Sequence, residues 1–226
     1  MSDERSRELE RRAAAGDAEA LMRILADRVR GGAIPEEDLL LLAYAQDPLA
    51  DDQVGTHGLN VPDDLHGWAL GLHDWGAGVC RLAALSAARL VAGKVKEETL
   101  AARVEQTLAA LDQVSNEALA QVDPGLVPEA KPALGQLEER WPVLLAATRA
   151  AEELFGAEQR EVLAARSLLW AARAVWRPRG VQYDAANALL DAQEALDPER
   201  GAASAQVREA VLNALRNEVF LRGLPD

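Results

Sequence analysis

Cysteine, lysine and isoleucine are almost missing from this chain. Cys80 is its one cysteine, so no internal disulfide can form, disulfide scaffolds are excluded, and a reducing, cytoplasmic setting is the expectation. Ile24 and Ile34 are the only isoleucines. The apolar set is instead mostly Ala, Leu and Val, which favours helix over sheet because Ala and Leu lose least entropy in a helix while β-branched residues are scarce. Long apolar runs are missing too. No window approaches the ~18 uninterrupted apolar residues of a membrane span, and the opening MSDERSRELERR lacks the apolar stretch of a signal peptide. No membrane partner is expected.

Positive charge is in deficit, with a formal net charge of −13. Phosphate binding relies on clustered Lys and Arg that release counterions, so nucleic acid is excluded as the expected partner and basic proteins remain. The excess is spread out: residues 1–63 carry 14 acidic and 7 basic side chains, residues 64–226 carry 23 and 17. Spread acidity is ordinarily a device for solubility. A dedicated acidic docking surface is the functional alternative. Catalytic signatures are absent as well: no Gly-rich phosphate loop, CxxC pair, HExxH, GxSxG or DxDxDG loop occurs. Ser2, Ser6, Ser86, Ser115, Ser167 and Ser204 have no evident context for activation. These absences point away from an enzyme, and neither a cofactor nor a metal is expected.

What is present is helical periodicity. With 226 residues and 49% hydrophobic side chains, the chain can bury a full core as one large domain or two small ones. Leu65, Trp68, Leu72, Trp75, Val79 and Leu82 alternate by three and four, which places them on one face of an α-helix. Leu134, Leu137, Trp141, Leu144, Thr148, Ala151 and Phe155 repeat the rhythm, and Leu100, Val104, Leu108, Leu111, Val114, Ala118 and Val122 follow it more loosely. At least three long amphipathic helices must therefore bury faces against one another. The fold class is all-α: a long-helix bundle with an N-terminal short helical hairpin.

The N-terminal residues 1–46 read as short helices. Asp17 is an N-cap for a helix whose inner face is Leu21, Ile24, Leu25, Arg28 and Val29, stopped by Gly31-Gly32. Pro35-Glu36-Glu37 opens another, with proline in the first turn and carboxylates facing the dipole. Residues 47–63, with two prolines, two glycines and most of a cluster of aspartates, read as an acidic loop or linker. The bundle occupies 64–226, either as a second domain or continuous with the first. Its helices are expected at about 64–92, 96–122, 132–156, 157–177, 182–195 and 203–222, with edges uncertain by ~2–4 residues. Pro142 interrupts the third, so that helix is kinked or restarts there.

The segments ELERRAAAGDAEALMRILADRVRGGAIPEEDLLLLAYAQDP and LHGWALGLHDWGAGVCRLAALSAARLVAG resemble uncharacterised Ala- and Arg-rich helical proteins of GC-rich bacteria. Those proteins share a charged first helix, a Gly-Asp turn and an LAAY-like segment. The dominance of Arg over Lys94, Lys96 and Lys131 fits such a genome. The resemblance covers roughly residues 8–95 and carries no catalytic motif. It implies an immunity or interaction domain, and hence protein binding.

His66, His73 and Cys80 recur at intervals of seven, and on one straight helix they would form a stripe. Distance excludes a shared ion, since seven residues rise about 10.5 Å while zinc donors lie ~2.0–2.3 Å from the metal. His73-Asp74 resembles the HD dyad of metal-dependent phosphohydrolases, and it is the enzyme alternative. His57 and His66 lie closer to the dyad than that family's first histidine does. Gly67, Gly71 and Gly78 cost about 1 kcal/mol each in a helix interior. Close approach of a second helix offsets that cost in the ordinary reading, and a binding cleft walled by Trp68 and Trp75 is the alternative.

Residues 160–180 form the one basic island, with Arg160, Arg166, Arg173, Arg177 and Arg179 around Trp170 and Trp176. Arg and Trp dominate binding hot spots, although Arg173 and Arg177 also suit a helix C-terminus. The expected function is non-enzymatic: an immunity-type or adaptor protein docking a basic macromolecule. Its expected partner-binding face is Asp51, Asp52, His57, Asp63, Asp64 and His66. Arg173, Trp176, Arg177 and Arg179 are the alternative site, and a homo-oligomer stays open as a further partner state.

Overall fold

In the computed structural model, residues 3–54, 59–121, 123–157, 159–196 and 200–222 are described. The fold is all-α, with twelve α-helices and no strand among the described residues. The chain divides into two compact units, one of residues 1–60 with 212–226 and one of residues 61–211. The sequence reading places its divisions at 46 and 63 instead. The end of the last helix belongs with the N-terminal helices, a long-range association that local periodicity does not encode.

The first unit begins with α1 (Asp3–Ala14) and α2 (Ala18–Arg30). The Asp17 carboxylate accepts from the Glu19 and Ala20 amides and pairs with Arg12. It therefore caps α2 as its sequence position predicts, and those bonds hold its carboxyl below the usual aspartate range. Ile24, Leu25 and Val29 are buried. α3 (Glu36–Tyr44) follows Pro35. The expected loop 47–63 instead opens with a helix, α4 (Pro48–Val54). Asp47 accepts from the Leu49 and Ala50 amides at 2.8 and 3.2 Å, so Asp47-Pro48 is an N-cap and a first helical residue, although both types also signal loops.

In the second unit the expected helix 64–92 is divided. α5 (Leu65–Gly71) passes into a 3₁₀ turn at Leu72–Trp75, and α6 (Ala77–Ala92) restarts after Gly76. Gly76 has φ +97°, a conformation open to glycine and strained for residues with a side chain. Trp68 and Leu72 are fully buried, but Trp75 is only half-buried. The expected helix 96–122 is likewise two pieces, α7 (Glu98–Leu111) and α8 (Asn116–Ala120), with Glu97 and Ser115 as N-caps. α9 (Lys131–Phe155) runs unbroken through Pro142. Proline there leaves the Glu138 carbonyl without an amide donor, and both Pro142 and Glu138 are exposed, so the helix passes the proline on its solvent side.

α10 (Arg160–Trp176) is central to this unit, packing on α6, α7, α9 and α11 (Val181–Leu196). Its inner positions are largely alanine: Ala164, Ala165, Ala171, Ala172 and Ala174 have no exposed surface. Small side chains bring helix axes close together, which is how one helix accommodates four neighbours. α12 (Arg200–Arg222) completes the chain. Arg81 of α6 is fully buried, donating to the carbonyls of Leu119, Gln121 and Ala174 near the ends of α8 and α10. Burial pushes its pKa down to about 10, so it stays charged at neutral pH and complements those helix C-termini.

Candidate functional site

Two clefts in the second unit gather the functional candidates. The first, about 510 Å³, is acidic, lined by Asp63, Asp64 and His66 at the start of α5, Gln193 and Glu194 of α11, and Ser204 of α12. Leu65 and Leu190 supply its apolar surface. Its rim is fixed from behind. Arg208 of α12 donates to the Pro62 and Asp63 carbonyls at 3.1 and 2.6 Å and lies over the Trp68 ring, 5.0 Å from its centroid. Asp64 caps α5 by accepting from the Gly67 amide at 2.7 Å. A Cβ at Gly67 would stand 2.8 Å from that carboxylate and 3.0 Å from Pro62 Cβ, so glycine here makes room for the cap.

The structure thus brings Asp63, Asp64 and His66 into one cleft. Asp51 and Asp52 stand on α4, in the first unit, and His57 lies outside the described residues. Sequence reasoning did not identify Glu194. Three carboxylates and an imidazole could suggest a metal centre, but no group of three or more His, Cys, Asp or Glu side chains among the described residues is arranged to hold an ion. The cleft wall carries the carboxylates of Asp63, Asp64 and Glu194. The other histidine and cysteine candidates separate: His73 and Asp74 are exposed on the 3₁₀ turn, and Cys80 is buried. Burial pushes the Cys80 thiol up to about 12, leaving it protonated. The break at Gly76 removes the stripe that an unbroken helix would have formed.

The second cleft, about 280 Å³, lies between α9 and α10. Trp141 and Trp170 line it together with Arg149, Glu152, Arg166 and Arg173. Of the alternative site's residues it takes up Arg173 alone. Trp176 packs edge-on against Trp141, with centroids 6.4 Å apart, and Arg177 lies over the Trp176 ring. Arg179 is exposed in the turn before α11.

Two carboxylates of α11 organise this cleft from behind. Asp191 accepts from Arg166 at 2.8 Å and from the Trp170 indole at 2.9 Å, and Asp184 accepts from Arg173. Both are buried. Burial pushes Asp191 up to about 6, against the opposing pull of Arg166 and Trp170. The signal for these pairs was present in the sequence. Arg166 and Arg173 are seven apart on one helix, Asp184 and Asp191 seven apart on the next, and an antiparallel hairpin pairs the outer two and the inner two. Comparisons with protein-family models, curated proteins and solved structures find no match to this chain.

Proposed function

We propose that this protein is a non-enzymatic binding protein of immunity or adaptor type that docks a basic macromolecular partner at the acidic cleft. One observation carries the reading: Asp63, Asp64, Glu194 and His66 line a single open cleft, and among the described residues no arginine or lysine stands in its wall. A guanidinium or ammonium group entering it meets carboxylates from two elements, while Leu65 and Leu190 can pack its methylene stem. The net charge of −13 adds a long-range field that speeds encounter with a cation.

The test is association kinetics with an arginine-rich helical peptide as probe. Changing Asp63→Asn, Asp64→Asn and Glu194→Gln together removes three charges, and asparagine keeps the cap on α5. The on-rate should fall about tenfold at low salt and lose most of its salt dependence, because exposed charges steer over a Debye length of ~8 Å at physiological ionic strength. An unchanged on-rate and salt slope in the triple variant would sink the proposal.

A further inference from the structure

The cleft between α9 and α10 is independent of the acidic one and has the opposite character. We infer that it is a binding site for a small planar aryl monocarboxylate, whose ring lies between Trp141 and Trp170 and whose carboxylate meets Arg149.

Both indoles are held in place before any ligand arrives. Trp141 Nε1 donates to the Leu169 carbonyl at 3.3 Å, and Trp170 Nε1 donates to Asp191. Arg173 lies 4.2 Å from the centroid of Trp170. With both ring N–H groups committed, the aromatic walls offer π surface and no donor, and Leu145 and Leu169 extend that apolar lining. Flat rings stack on such walls at little entropic cost, because the side chains are already ordered.

The charge decides the polar end. Arg166 and Arg173 are each paired with a buried carboxylate of α11, so their charge is largely compensated. Arg149 is exposed and makes no ion pair or hydrogen bond within the protein among the described residues. It is the cation left for a ligand. Glu152, one turn further on at the same cleft, opposes a second negative charge, which selects a monoanion over a phosphate ester or polyanion. Ligand pockets commonly run ~300–1,000 Å³, and a volume of about 280 Å³ suits one or two rings.

The experiment is calorimetric titration of the full chain with 2-naphthoate, with 2-naphthylmethanol as the uncharged counterpart. The acid should bind with a dissociation constant of about 0.1 mM or tighter, and the alcohol about tenfold more weakly, as expected for loss of one charge-assisted contact. R149A should weaken the acid about tenfold, leave the alcohol unchanged and retain the melting temperature. L145W, which fills the cleft, should abolish both. Absence of saturable binding, equal affinity for acid and alcohol, equal binding by wild type and R149A, or binding that survives L145W would each overturn the inference. None of these readouts depends on the acidic cleft.

Discussion

Asp191 concentrates much of what single residues do in this protein. It holds Arg166 and Trp170 at once, and burial outweighs both partners in setting its affinity for a proton. In the unfolded chain its carboxyl titrates near 3.8, and in the folded protein at about 6. Between those values the folded state keeps a proton that the unfolded state has lost, so stability falls as pH rises through this window and levels off above it. By linkage the fall is about 3 kcal/mol. Asp191→Asn removes it: the stability of the variant relative to wild type should rise by up to about 3 kcal/mol between pH 4 and pH 7, measured by urea denaturation. Asp38, whose carboxyl burial also raises, titrates in both proteins and cancels in the difference. A constant difference across that range would mean that the Arg166 and indole contacts keep Asp191 ionised throughout.

At the scale of elements, glycine has two opposite meanings. A Cβ at Gly78 of α6 would lie 2.8 Å from Ala120 Cα and 3.2 Å from the Leu119 carbonyl, so this glycine permits close approach of α8. A Cβ at Gly135 of α9 would meet nothing within 4 Å. Gly135→Ala should therefore stabilise by about 0.5–1 kcal/mol through helix propensity. Gly78→Ala should destabilise by about 1–2 kcal/mol, because overpacking against backbone exceeds the same propensity gain. Chemical denaturation checks both, and equal effects would show that α8 yields at no cost. Of the two readings of the Gly67, Gly71 and Gly78 face, close helix approach thus fits Gly78, while Gly67 accommodates its own helix's cap.

The sequence made α9, α10 and α11 legible because their apolar positions recur over many turns. It concealed the break at 72–76, since a short 3₁₀ turn hardly disturbs a three-and-four rhythm across Leu72. α4 was hidden by composition, as aspartate and proline serve both loops and helix starts. At the sites, Asp63, Asp64 and His66 are neighbours along the chain and were legible together. Glu194 and the Trp141 wall come from distant segments, and only packing brings them in.

The whole molecule depends on its last helix in a way that chain order conceals. Residues 212–226 cluster with residues 1–60, and the links are specific. Arg216 pairs at 2.6 Å with Asp47, both buried, and Arg222 pairs with Asp38 at 3.2 Å. Arg28 donates to the Phe220 carbonyl at 3.0 Å and lies over the Phe220 ring. Leu212, Leu215, Val219 and Phe220 are buried as well. Ending the chain at Val211 removes four apolar side chains worth about 1.5–3 kcal/mol each. It also strands the Asp47 carboxylate, and breaking a buried pair costs about 3–5 kcal/mol. That total reaches or exceeds the ~5–15 kcal/mol by which domains are stable, and the first unit is small. Hydrogen exchange of the truncated chain should therefore show loss of protection across α2 and α3, while α6, α10 and α11 in the second unit stay protected. Protection lost equally in both units would show that the chain folds as one cooperative body, and protection kept in α2 and α3 would mean that those two helices hold without the C-terminal turns.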